Sequence, residues 1–257
     1  MADSVTTATR PYLNKFWQTK IYFNWMFGLA LIVLMGIPRF IIVMRANVTG
    51  NYAYLSILFI LMWFLPLIFM SKSGRRFAGI QRVQNKLWLV YSFLLGTGIS
   101  TLVFLVGLWL FGDSVSNWFV YIGRAWSDAA GMSESQLLIY FIIAAVISMT
   151  FSPVGEELFY RGVIHASFQV NLGDNNASHI DSLAFALTHL AHFGIVFVNG
   201  SWRFLWLPAL LWVVLMYLNS RAFFLCKQKS GSVTGAIFSH AGFNLAMMYF
   251  IFYHIQP

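Results

Sequence analysis

The sequence predicts an all-α fold, a polytopic transmembrane helical bundle of about seven helices and at most eight, and three observations carry that prediction. Of its 257 residues, 59% are hydrophobic and 18% aromatic, while only 9% are charged. A soluble domain carries about 25% charged residues to cover its surface. The mean hydropathy is +0.71, so much of this surface is built to meet lipid. Apolar runs long enough to cross a hydrocarbon core of about 30 Å, which takes ~20 helical residues, can be placed seven times.

These runs span approximately 21–44, 52–71, 87–112, 136–154, 180–198, 203–225 and 232–254. Residues 1–20 are polar and carry Arg10, Lys15 and Lys20. No small-residue cleavage signature follows the first run, which therefore reads as an uncleaved membrane helix. That run contains Pro38 and Arg39, a pattern that predicts a kink or an early exit with Arg39 snorkelling to the surface. Residues 113–135, with Trp118, Phe119, Tyr121 and Trp126 among polar neighbours, read as an interfacial helix or loop. The fourth run is interrupted at Pro153 and Gly155, and its helical pattern resumes through Glu156, Glu157 and Arg161. Ionisable groups are thereby placed in or at the membrane.

The net charge of +8 is not a nucleic-acid signal, because the basic residues sit in short segments between apolar runs rather than on one patch. With seven helices and an inner N-terminus, eleven Lys and Arg fall inside and four outside, Arg161 being set aside as a site residue. This asymmetry predicts a cytoplasmic N-terminus. The single Cys226 excludes an intramolecular disulfide and any cysteine metal site. No internal repeat is visible, which weighs against a transporter.

Chemistry concentrates in few residues. The chain holds eight acidic residues, and Glu156 and Glu157 are adjacent at the end of an apolar helix, where a carboxylate costs several kcal/mol and is retained for a reason. On a helix, Arg161 lies about 40° around from Glu157 and about 140° from Glu156. Arg161 is therefore expected to neutralise Glu157 and leave Glu156 free as a base. Tyr160 stands one turn from Glu156. His189 and His240 fall in the fifth and seventh runs, where an imidazole must be paired or face a cavity. Phe185, four residues before His189, can pack on its ring. His240 and Asn244 share one face at i,i+4 spacing, two donors of the kind a developing oxyanion requires. His192 points about 60° away from His189, and His165 and His179 are placed in loops or helix ends.

EELFYRG at 156–162, FALTH at 185–189 and HAGFN at 240–244, in this order and inside apolar helices, resemble the three motifs of the CPBP family, the CAAX proteases and bacteriocin-processing enzymes. The resemblance covers roughly residues 136–254 and departs from the usual EExxFRG form only at Tyr160, where phenylalanine is common. It implies a glutamate-dependent intramembrane peptidase with no cofactor and no metal. Glu156 would activate water, His189 would share that water, and His240 with Asn244 would form the oxyanion hole. Glu157 and Arg161 would brace the site. Residues 1–257 would form one membrane domain, with 136–254 as catalytic core and 1–135 supplying N-terminal helices without an assigned role.

Two other classes compete. Glu156, His189 and His240 are also a plausible zinc ligand set with an open position, although no HExxH is present. A non-catalytic immunity-type or transport protein would use the same polar residues for binding. The reading taken forward is an integral protein of a bacterial plasma membrane whose partners are the lipid bilayer and a peptide or protein substrate in or at it, with no nucleic acid. The sequence sets no oligomeric state.

Overall fold

The computed structural model describes residues 10–255; the first nine residues of the polar N-terminal stretch lie outside the described residues. The architecture is an all-α bundle with one small β-hairpin. Its helices are α1 (Trp25–Thr49), α2 (Ala53–Phe69), α3 (Lys72–Phe77), α4 (Leu87–Phe111), α5 (Trp118–Gly123), α6 (Glu134–Glu157), α7 (His165–Thr188), α8 (Trp206–Ser230) and α9 (Val233–Phe250). A wide π-type turn, Leu158–Ile164, joins α6 to α7, and the strands β1 (Ile195–Val198) and β2 (Ser201–Phe204) pair antiparallel between α7 and α8.

Among the described residues, five helical stretches are long and apolar enough to cross a membrane: 25–49, 87–111, 134–191, 206–230 and 233–255. The third turns at Gly173 (φ 78°, ψ 167°) inside α7, a conformation open to glycine and strained for other residues. It therefore supplies two limbs, 134–172 and 174–191. The shorter apolar helix α2 accompanies them.

Local chemistry explains the boundaries. Asn24 caps α1 by accepting from the Phe27 N–H at 3.2 Å, and Gly50 closes it at φ 71°. Ser133 and Gln136 form a reciprocal capping box at the start of α6. Gly231 (φ 70°) ends α8, and Ser232 caps α9.

Hydrogen bonds between loops define two faces. On one, Asn14 N–H donates to Phe69 O (2.9 Å), Gln84 N–H to Ser230 O (3.0 Å) and Val233 N–H to Gly79 O (2.9 Å). On the other, Asn47 Nδ2 donates to Ala191 O (2.8 Å), Phe197 N–H to Tyr121 Oη (2.8 Å) and Arg124 Nη1 to Phe197 O (3.1 Å). The first face carries Lys15, Lys20, Lys72, Arg75, Arg76, Arg82, Lys86, Lys227 and Lys229, and the second Arg45, Arg124 and Arg203.

The structure corrects several expectations. α1 runs through Pro38 without an early exit, and Arg39 does not snorkel: it is 1% exposed. No break occurs at Pro153 and Gly155; α6 continues to Glu157, and the irregularity falls just beyond, in the π-type turn. Proline is tolerated inside membrane helices where neighbouring elements satisfy the freed backbone groups. The fifth apolar run does not stay helical to 198, since the helical path ends at Ala191 and β1 follows. Residues 113–135 form a short helix and a 3-10 turn rather than a span, as expected, with Trp118, Phe119 and Tyr121 buried in the bundle. Trp118 Nε1 donates to Val103 O at 3.1 Å, and its ring stacks on Trp212. His179 lies inside α7 rather than at a loop or helix end, whereas His165, buried, is the first residue of that helix.

α4 and α9 form the most intimate helix pair, and small residues make it so. A Cβ at Gly96 would collide with the Ser239 carbonyl, and one at Gly242 with the Phe93 carbonyl. Van der Waals packing of close backbones is what holds helices together in lipid, where no hydrophobic drive separates helix from solvent. Gly96→Val is expected to cost at least about 1–3 kcal/mol, read as a lower midpoint of thermal unfolding in detergent; an unchanged midpoint contradicts this account of the crossing.

Candidate active site

The candidate residues come from α6, the π-type turn after it, the 3-10 turn that follows α7, and α9. The last turn of α6 brings Glu156 and Glu157 into the bundle, where both are fully buried, as is Arg161 in the π-type turn. Gly155 permits this, since a Cβ there would stand 2.7 Å from Phe59 O of α2. At this approach Trp63 Nε1 of α2 donates to Phe151 O of α6 at 3.0 Å.

Glu157 is held from two sides. Arg161 Nη1 donates to Glu157 Oε1 at 3.1 Å, the i,i+4 contact that helical spacing predicts, and the His240 Nδ1–H donates to the same oxygen at 2.9 Å. Arg161 also reaches Ser220 Oγ, and its Nε lies 3.9 Å from Asp181 Oδ1. Asp181 Oδ2 is in turn 2.7 Å from His165 Nδ1.

Glu156 has a different neighbour, one the sequence did not indicate. Arg39 Nη2 forms an ion pair with Glu156 Oε1, and Arg39 Nη1 donates to Thr188 Oγ1 at 2.6 Å. The approach is an ion pair rather than an aligned hydrogen bond, for Glu156 Oε1 receives no directional donor and Arg39 Nε finds no acceptor. Glu156 Oε2 accepts from Ser152 Oγ at 3.4 Å and lies 3.6 Å from His240 Nε2.

The two histidines are fixed through Nδ1. His189 Nδ1–H donates to Phe185 O at 2.7 Å, the Phe185 ring packs on its imidazole with centroids 4.2 Å apart, and Trp212 Nε1 donates to His189 O at 3.0 Å. This assignment of the Nδ1 proton follows from the carbonyl acceptor and leaves the His189 Nε2 lone pair unused. No hydrogen bond or ion pair among the described residues joins His189 to Glu156 or Glu157. His240 stacks on Phe223, with ring centroids 4.8 Å apart. Asn244 Nδ2 donates one hydrogen to Ser148 O at 2.7 Å, which leaves its second available.

His189, His240, Asn244 and Arg39 line a single cavity of about 400 Å³ whose other walls are mostly apolar, among them Leu55, Phe59, Phe151, Met216, Phe243 and Met247. Glu156 is buried and does not line it, but pairs with two residues that do, Arg39 and His240. Sequence reasoning set His192 aside, yet it lines the same cavity, its ring centroid 5.4 Å from that of His189. The 3-10 turn His189–Ala191 accounts for this, because it tightens the helical angle between the two. Asn219 was missed too; it lines the cavity with a buried, unpaired Oδ1.

Residues 137–246, which contain all three motifs, match the family model of Type II CAAX prenyl endopeptidase Rce1-like proteins. Over that segment the chain is similar to the type 2 CAAX proteases of the CPBP family. No match was found among curated proteins or among solved structures. The match supports an intramembrane endopeptidase of the CAAX-protease type, with a peptide substrate. Arg39, Phe59 and Gly96 lie outside the matched segment.

Arg161 ties one carboxylate of the motif to a second buried acid. Arg161→Met is expected to destabilise the protein by about 3–5 kcal/mol, since it leaves Glu157 without its cation in a dry interior. Thermal unfolding measures this, and a variant as stable as the parent contradicts the assigned pairing.

Proposed function

We propose that the chain hydrolyses a peptide bond of a membrane-associated peptide or protein, using water activated by Glu156 and His189 and an oxyanion hole made by His240 and Asn244. The observation that carries this reading is that the second and third motifs line one cavity while Glu156 Oε2 of the first lies 3.6 Å from Nε2 of His240, which lines it. Glu156 Oε1 is engaged by Arg39, so Oε2 is the oxygen left to act as base. A water held between Glu156 Oε2 and the His189 Nε2 lone pair gives its proton to Glu156 as its oxygen bonds the scissile carbonyl carbon. The oxyanion takes hydrogen bonds from His240 and from the second hydrogen of Asn244 Nδ2. Collapse breaks the carbon–nitrogen bond, and Glu156 passes the proton to the leaving amine.

Glu157 has a chemical part in this scheme. With its Nδ1–H held by Glu157, His240 donates to the oxyanion from Nε2 only when both ring nitrogens carry protons. A zinc set of Glu156, His189 and His240 is disfavoured because the Arg39 guanidinium already meets Glu156, and a second cation there would be repelled in a medium of low dielectric. Glu156→Gln is expected to lower cleavage of internally quenched CAAX-type peptides, with and without a farnesyl group on the cysteine, by ~10²–10⁴-fold, while a chelator leaves the parent's activity unchanged. Undiminished turnover by E156Q sinks the base assignment, and loss of activity on chelation revives the zinc reading.

The cavity's direction narrows the substrate's route. It continues toward the face poor in basic residues, where it shares Gly50, Tyr52 and Ala125 with a more polar cavity of about 410 Å³ that also includes Asn47, Arg124 and Ser127. The Lys- and Arg-rich face supplies no lining residue to either. By the positive-inside rule, we assign that basic face to the cytoplasm and the mouth of the cavity to the opposite side, with an apolar segment of an exported or membrane-inserted chain as its occupant. In a C226S background expressed in a bacterial plasma membrane, S127C is expected to react with a membrane-impermeant maleimide on intact cells and K72C only after lysis. The reverse pattern overturns this orientation.

A further inference from the structure

We infer that Arg39, on the first described membrane helix and outside the family-matched segment, is a positioning residue for hydrolysis: it keeps Glu156 ionised and sets its place relative to His189. The inference rests on the reading of Glu156 as the base. The motif supplies one cation, Arg161, and two adjacent carboxylates. Arg161 is committed to Glu157, with Asp181 behind it. Glu156 therefore needs a counter-charge from elsewhere, because an unpaired carboxylate in such surroundings takes up a proton rather than remain charged. A protonated Glu156 cannot accept the proton of a water.

The groups facing Glu156 are few. α1 contributes Arg39, α9 contributes His240, and α6 itself contributes Ser152 and the neighbouring Glu157. The Tyr160 hydroxyl lies close by, 3.3 Å from Thr188 Oγ1. Of these only Arg39 is a permanent cation. Its second contact gives it a further role: Nη1 donates to Thr188, the residue immediately before His189. One planar guanidinium thus touches Glu156 and the residue next to His189, although no direct bond joins Glu156 to His189. Arg39 is itself buried, has few ways to relax, and lines the catalytic cavity. It acts through Glu156 and is not assigned contact with the substrate.

Two measurements without substrate and one with it test this. In detergent at neutral pH, R39M is expected to gain a protonated-carboxyl stretch in its infrared difference spectrum that R39K lacks and that disappears in R39M/E156Q. The double variant should also unfold at a higher temperature than R39M, because it removes the stranded carboxylate along with its cation. With the quenched CAAX-type peptides as probes, R39M should lose ~10²-fold or more in kcat with KM little changed, and R39K should recover most of it. If E156Q is inactive yet R39M shows no new carboxyl band, or if R39M/E156Q is no more stable than R39M, the role of Arg39 falls by itself. A fully active E156Q removes the base reading and this role together.

Discussion

Charge held inside a lipid-facing bundle must be balanced residue by residue, and that constraint organises the catalytic end of this molecule. The ion pair of Glu157 with Arg161 lies within one segment, across the π-type turn, while that of Glu156 with Arg39 spans two helices. The first can form as soon as the turn folds. The second exists only when α1 packs beside α6 and α7, so the charge state of Glu156 is tied to tertiary assembly. A buried pair is weak evidence for stability, because desolvation offsets much of the attraction. Its persistence here is better explained by what an ionised carboxylate does than by what it adds to folding.

The backbone is arranged around the same need. Gly155 lets α6 press against α2, and Gly96 with Gly242 let α4 and α9 touch. These close crossings bring His240 within reach of both glutamates. The π-type turn follows immediately after Glu157, and such irregular turns recur at functional sites because they re-aim side chains that a regular helix would carry past their partners. At the end of the second limb, the 3-10 turn that starts at His189 directs His192 into the cavity.

Much of this was legible in the sequence, for reasons that can be named. Hydropathy located the helices because satisfying every backbone group internally leaves few alternatives in lipid. The site residues stood out because ionisable groups are scarce in such a chain, and the Glu157–Arg161 contact followed from helical spacing alone. Arg39 was misread because a basic residue beside proline near the predicted end of an apolar run looks the same whether it snorkels outward or turns inward; only the position of Glu156, 117 residues later in the chain, separates the two. The hairpin Ile195–Phe204 was missed for a related reason. Its apolar residues continue the pattern of the helix before it, and the turn at Asn199 and Gly200, where both φ are positive, is a short signal against a long hydrophobic run. Asn219 carried no periodic or motif signal at all.

The position of Arg39 also changes how the chain divides. A boundary near residue 135 separates the segment that carries the three motifs from helices without recognisable chemistry, yet the cavity takes Arg39 from α1, Tyr52 from its connection to α2, and Phe59 from α2. The crossing that seats His240 takes Gly96 from α4. An isolated C-terminal half would retain the side chains of the three motifs but leave Glu156 without Arg39, and would uncover the face of α9 against which Gly96 packs. The smallest unit that pairs Glu156 with Arg39 therefore includes α1. Motif and mechanism have different extents in this protein, because a motif records which residues react, whereas the charge of a buried acid depends on every helix that closes around it.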